Sequence, residues 1–224
     1  MEIKYFDVVF EDEYLIVVDK KSGLLVLPTP KNEKHTLTNL LNEYLKNKKE
    51  KAYPCHRLDR DTSGLIVYAK DTNSQQAIMN QFKARTFRKK YLAIVQGRLV
   101  DFYGVIKGYI KVKQKPEKFA VTKYRVLRRF KGFSILEVEP KTGRTNQIRI
   151  HLSQIGHPVI GERKYAFAKD WPFKYKRLCL HSCFAEFRHP ISNDLVRLFR
   201  DIPADMREFL KERGLDVRLN RRRR

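Results

Sequence analysis

Cysteine is scarce: Cys55, Cys179 and Cys183 are the only three in 224 residues. So few thiols, odd in number, exclude a disulfide-stapled secreted scaffold and point to a reducing compartment. Long apolar runs are absent too. The stretch through Val18 carries five acids (Glu2, Asp7, Glu11, Asp12 and Glu13) and nothing near the length of a signal or membrane segment. A soluble cytoplasmic protein with no membrane partner is expected. No internal repeat and no low-complexity linker interrupts the chain. Acids are the third shortage, with 25 Asp+Glu against 48 Lys+Arg and a net charge of +23. Self-repulsion on that scale works against a compact state, and a thermophile-type ion-pair surface would carry matching Glu. The excess therefore implies a polyanionic partner, with nucleic acid ahead of a lipid surface.

What is present suffices for a core, since 42% of residues are hydrophobic and 12% aromatic. Strand-type spacing runs through Tyr14–Val18, Leu65–Tyr68, Tyr91–Val95, Val105–Val112, Phe119–Leu127, Phe133–Val138 and Leu178–Phe187. Helical spacing fits a segment capped by Thr36 or Thr38 and running to Leu45, another from Thr72 to Lys83, and Pro203–Arg213 closed by Gly214. Gly104, Gly108 and Gly132 between strands suggest hairpins and antiparallel pairing. The expectation is an α+β domain spanning 1–214, followed by a basic, flexible tail at 215–224. That tail ends in Arg221 to Arg224 and would add non-specific phosphate contacts.

Three segments could carry chemistry. His56-Arg57-Leu58-Asp59-Arg60-Asp61-Thr62-Ser63-Gly64 is a polar loop that feeds an apolar strand, a place where a rigid scaffold can present reactive groups. Arg57 and Arg60 flank Asp59 and would keep it ionised, ready to act as nucleophile or base; a surface loop with local ion pairs is the plainer reading of the same residues. In Lys141 to Leu152, Gly143 supplies a turn and Thr145 a helix cap. Ile148 and Leu152 would share one face, leaving Arg149 free to reach a carboxylate elsewhere, or else merely solvated. Tyr91 follows Arg88-Lys89-Lys90, so its ring could stack on a base while the cations hold phosphate, or it could simply be packed. Cys179, His181 and Cys183 alternate along one strand but lack the paired spacing of zinc ligands, so no metal is expected.

Taken together and in order, these segments resemble the RluA family of RNA pseudouridine synthases. The likeness rests on His56-Arg57-Leu58-Asp59 with Asp61-Thr62-Ser63-Gly64, on Lys89-Lys90-Tyr91-Leu92-Ala93, and on Gly143-Arg144-Thr145-Asn146-Gln147-Ile148-Arg149-Ile150-His151-Leu152. It continues through Gly156-His157-Pro158, Gly161, Leu180-His181 and His189-Pro190. The resemblance implies a mixed, mostly antiparallel sheet split into two halves with flanking helices, and the isomerisation of uridine to pseudouridine in ribosomal or transfer RNA after base flipping, without a cofactor. It implies that Asp59 is the catalytic aspartate, Tyr91 the tyrosine stacking on the base, and Arg149 the basic partner of Asp59. Leu180 would pack near the base, and Arg57 would fill the space left by the extruded nucleotide. A monomer is expected. Asn146 stands where relatives commonly have histidine, and Lys21 where they often have proline. With no room before Phe6 for an accessory RNA-binding domain, RNA capture would fall to the basic surface of the catalytic domain. The competing expectation is an RNA-binding or RNA-folding factor on the same fold without catalysis.

Overall fold

The computed structural model describes residues 5–111, 116–166 and 171–217. Among them, ten strands form one sheet. They are Phe6–Glu11 (β1), Leu15–Lys20 (β2), Tyr53–Pro54 (β3), Ser63–Ala69 (β4), Arg88–Gln96 (β5), Tyr103–Ile110 (β6), Lys118–Phe130 (β7), Phe133–Pro140 (β8), Leu180–Arg188 (β9) and Leu195–Phe199 (β10). The main path runs β1-β2-β4-β9-β5-β8-β7-β6, with β3 added to β4 and β10 to β9. Pairing is antiparallel except between β4 and β9, which touch only at Ser63 opposite His181 and Gly64 opposite Ser182. That short parallel seam divides the sheet into two halves. Gly64 is required there: its φ is +113°, and a Cβ would lie 2.3 Å from the Ser182 carbonyl oxygen.

Alternation along β2 and β4 explains the layers. Ile16, Val18, Ile66 and Tyr68 enter a large core, while Leu15, Val17, Leu65, Val67 and Ala69 enter a smaller one on the opposite face. Strands buried on both faces need covers on both sides. Leu37–Leu45 (α1) covers the large core with Leu37, Leu41 and Leu45, and Thr72–Lys83 (α2) covers the small one with Ile78. Thr36 rather than Thr38 caps α1, accepting a hydrogen bond from the Asn39 amide; Asp71 caps α2. Gln147–Gln154 (α3) packs on the β6–β8 half, and Ala204–Lys211 (α4) buries Met206, Phe209 and Leu210. The architecture is α+β, as expected.

Several local expectations are corrected. Gly104 and Gly108 lie inside β6, not at turns; the Tyr124 ring lies across Gly104 and occupies the space a Cβ would need. Thr145 does not cap α3. Asn146 holds the cap position at φ 55°, a left-handed conformation that asparagine tolerates, and the Gln147 side chain accepts from the Arg144 amide. Packing does not stop at Gly214, because Leu215 and Val217 join the large core. Val112 and the run Arg221 to Arg224 lie outside the described residues. No helix among the described residues is long and apolar enough to cross a membrane.

Candidate active site

The loop bearing Asp59 is anchored at both ends. Upstream, His56 Nε2 accepts a hydrogen bond from the Val67 amide of β4 at 3.1 Å, and its ring packs on Phe82 and Phe87. Burial pushes the His56 imidazole down to about 3, so it is a neutral anchor rather than a proton carrier. Leu58 is buried in the large core. Downstream, Lys20 is fully buried, and its ammonium donates to the carbonyls of Lys21, Leu24 and Arg60 at 2.8–2.9 Å. Burial pulls that amine down to about 7, against the attraction of Asp61 and Asp59. The Gly23 amide donates to the same Arg60 carbonyl, and the Thr62 amide closes the turn on the Asp59 carbonyl. Asp59 therefore sits on a tethered backbone at the seam of the sheet.

From the other half of the sheet come Tyr91, on β5, and Arg149, on α3. Arg149 is buried and held through three of its five N–H donors: Nε and Nη2 each donate to Glu162 at 2.7 Å, and Nη1 donates to Asn146 Oδ1 at 3.2 Å. Glu162 also accepts from the amides of Arg163, Lys164 and Tyr165. Burial would raise the Glu162 carboxyl, but Arg149 and these amides hold it below its ordinary range. Arg149 is thus not the hydrogen-bonded partner of Asp59. Its guanidinium fork is taken by Glu162, and it acts on Asp59 through its field alone. Asn146, the residue that departs from the family pattern, joins this network by donating to the Tyr165 hydroxyl at 2.7 Å.

These elements converge on one open, mixed polar and apolar pocket. Arg57, Asp59, Tyr91, Arg149 and Leu180 all line it, so every site residue expected from the motifs is brought together. Arg60 is not; it turns outward toward Glu33. Among the described residues no hydrogen bond or ion pair claims the Asp59 carboxylate. Burial raises its proton affinity above that of a free aspartate, in spite of Arg149, Arg57, Lys164 and Lys20. The flanking arginines of the loop therefore do not set its charge state alone, because desolvation outweighs them. Burial, reinforced by the nearby Asp59 charge, pushes the Tyr91 phenol well above its ordinary value, so it stays protonated at neutral pH.

Glu162 is not singled out from sequence, and Lys89 and Thr62 read there only as a phosphate contact and a loop residue. Glu162 lies next to Gly161 in the motif, and its signal was the need of a buried arginine for an acid. Lys89, half-buried in the pocket wall, is pulled down to about 8 by burial. Thr62 Oγ1 is buried in the same wall without a hydrogen-bond partner among the described residues. The alternating Cys179, His181 and Cys183 form no site. His181 Nδ1 pairs with Ser63 Oγ at 2.8 Å, burial pushes the Cys179 thiol up to about 12, and no group of metal-ligating side chains occurs among the described residues.

A divided mixed sheet thus presents an uncommitted carboxylate among cations, with an aromatic ring in the same wall, the arrangement of a candidate active site. The solved structure titled Human RNA Pseudouridylate Synthase Domain Containing 4 has the same fold, with a TM-score of 0.76 and 94% of each chain covered at 24% identity. The family model described as RNA pseudouridylate synthase matches residues 14–154. Ribosomal large subunit pseudouridine synthase D of Xylella fastidiosa is 33% identical over 91% of this chain and 68% of its own length. The Bacillus subtilis protein called uncharacterized RNA pseudouridine synthase YlyB is also 33% identical, over 92% of this chain and 72% of its own. The chain belongs to the RNA pseudouridylate synthase family, in agreement with the RluA-type motifs. It is an isomerase that acts on RNA.

Proposed function

We propose that Asp59 is the catalytic residue with which this enzyme converts uridine to pseudouridine in ribosomal RNA, in keeping with the Xylella fastidiosa relative, a ribosomal large subunit pseudouridine synthase. The observation that carries the reading is the uncommitted Asp59 carboxylate, in a pocket shared with Tyr91 and Leu180. The reaction breaks the N1–C1′ bond, turns the uracil and joins C5 to C1′; C5 gives up a proton and N1 gains one, so atoms and electrons balance. Asp59 starts it by attacking C1′ or by taking the C2′ proton. Either step needs an ionised carboxylate with free lone pairs.

The other residues follow from this. Arg149, held by Glu162, supplies fixed positive potential that favours the ionised form of Asp59. Tyr91 and Leu180 receive the flipped base, the tyrosine as a protonated phenol. Arg57, exposed at the pocket mouth, occupies the gap the base leaves in the RNA. The enzyme works as a monomer in the cytoplasm, and the terminal run Arg221 to Arg224 adds salt-sensitive, sequence-independent affinity. The test is tritium release from ribosomal RNA labelled at uridine C5, with wild type active and Asp59→Asn inactive. Equal release from both would remove Asp59 from the mechanism. Binding without release by wild type would instead favour an RNA-binding factor.

A further inference from the structure

Away from the pocket, the molecule exposes aromatic side chains that the chemistry does not use. β6 is the last strand of the sheet, and its alternation turns Tyr103, Lys107 and Tyr109 to solvent. Opposite them on β7, Arg125 pairs with Tyr103 and Phe119 with Tyr109, while Lys123 pairs with Val105. Tyr103 and Tyr109 are 70% and 64% exposed. Phe119 meets Tyr109 edge to face, with ring centroids 5.5 Å apart. Aromatic faces left this open on a sheet mark a partner surface.

The charges around them say which partner. None of these outward positions is acidic, and Lys107 and Lys123 carry no ion pair among the described residues. The carboxylates of the neighbouring strand, Glu137 and Glu139 of β8, are held by Lys90, Arg125 and Lys141, while Asp101 and Glu117 stand outside the two strands, just before Tyr103 and Lys118. Flat rings interleaved with free cations suit successive unpaired bases and their phosphates. A duplex hides its base faces, and a second copy of a chain carrying +23 would oppose like charge to like. The face is also continuous with the active site. A depression beside Tyr103 and Val105 shares Lys123 and Glu139 with the groove that reaches Arg57, Lys89 and Arg144 at the wall of the Asp59 pocket.

We propose that the outer face of β6 and β7 is a stacking platform for unpaired nucleotides flanking the target uridine. Tyr103, Tyr109 and Phe119 lie against bases, and Lys107 and Lys123 meet phosphates. This rests on the RNA reading above.

The test uses the full chain and a fluorescent single-stranded A/C oligonucleotide of about a dozen nucleotides, which spans such a platform but offers no uridine to the pocket. The triple variant Tyr103→Ala, Tyr109→Ala, Phe119→Ala binds it at least about tenfold more weakly. It keeps the wild-type melting temperature and the wild-type affinity for an RNA duplex. Tyr103→Phe with Tyr109→Phe retains single-strand binding, because stacking needs the ring and not the hydroxyl. Lys107→Gln with Lys123→Gln lowers the slope of log K against log salt by about 1.4, at roughly 0.7 per phosphate on a single strand. Wild-type single-strand affinity in the triple alanine variant would overturn the platform. So would a wild-type dimer, seen by sedimentation, that dissociates in that variant. Tritium release by wild type reports separately on the enzymatic reading: no release, with aromatic-dependent binding intact, would overturn that reading and leave the platform standing.

Discussion

Replacing Glu162 by glutamine is the sharpest probe of how the site is held. The substitution keeps size and one acceptor but leaves Arg149, whose side chain is 9% exposed, without its counter-charge; the Glu162 side chain is 1% exposed. Removing one member of a buried ion pair costs about 3–5 kcal/mol, because the other charge stays desolvated. At roughly 2–4 °C per kcal/mol for a chain of this size, the melting temperature falls by about 6–20 °C. Arg149→Met alone carries a similar loss, since it strands the carboxylate. The double variant Arg149→Met, Glu162→Gln recovers much of it, giving a coupling energy above about 2 kcal/mol in urea titrations. The pair also has a pH signature. The Glu162 carboxyl is held below its ordinary value, so its contribution is complete above the unfolded carboxylate range and fades only as pH falls through the depressed folded value. In the single variant Glu162→Gln, the uncompensated guanidinium turns its full field on Asp59 and moves the acid limb of kcat/KM to lower pH. A coupling energy near zero, with an unmoved acid limb, would show that Glu162 neither stabilises nor directs Arg149.

Asp59 carries a second pH effect of opposite sign. Its folded-state value is raised by burial, so the acid limb of wild-type kcat/KM lies above the ordinary carboxylate range. By the same linkage the folded state loses stability as pH rises through that window, so the stability advantage of Asp59→Asn over wild type grows with pH there, as denaturant midpoints measured across the acid range will show. Lys20→Met removes three hydrogen bonds from a buried ammonium, to the carbonyls of Lys21 and Leu24 and to that of Arg60 in the turn after Asp59. It lowers stability by about 1.5–3 kcal/mol and reduces tritium release more than RNA binding, whereas equal losses of both would argue against a positioning role. Gly64→Ala meets both the left-handed backbone and the Ser182 main chain. A loss above about 3 kcal/mol, or no soluble protein, is expected, and a variant that melts like wild type would contradict the close approach.

Strong alternation made the central strands legible: β5, β7 and β8 lie where the apolar spacing put them, and the motifs located the walls of the pocket. What stayed hidden has physical causes. β1 is masked by Asp7 and Glu11, and β10 is a short strand with only alternate residues half-buried. Lys20 and Glu162 are charged residues in the interior, against the rule that places such side chains at the surface, and only their partners reveal them. The partner of Arg149 comes from a loop that folds back on α3 beyond the helix, a contact periodicity does not report. The raised proton affinity of Asp59 stayed hidden for a related reason. Its sequence neighbours are cationic, but Arg60 turns away and burial decides.

The parallel seam between β4 and β9 has a mechanical consequence. With two residue pairs in register it is the least stitched joint on the main path of the sheet, and it lies between the strand that follows Asp59 and the strands that carry Tyr91 and Leu180. A change of angle at this joint would alter the spacing of Asp59 from Tyr91 and Leu180, which stand on opposite sides of it.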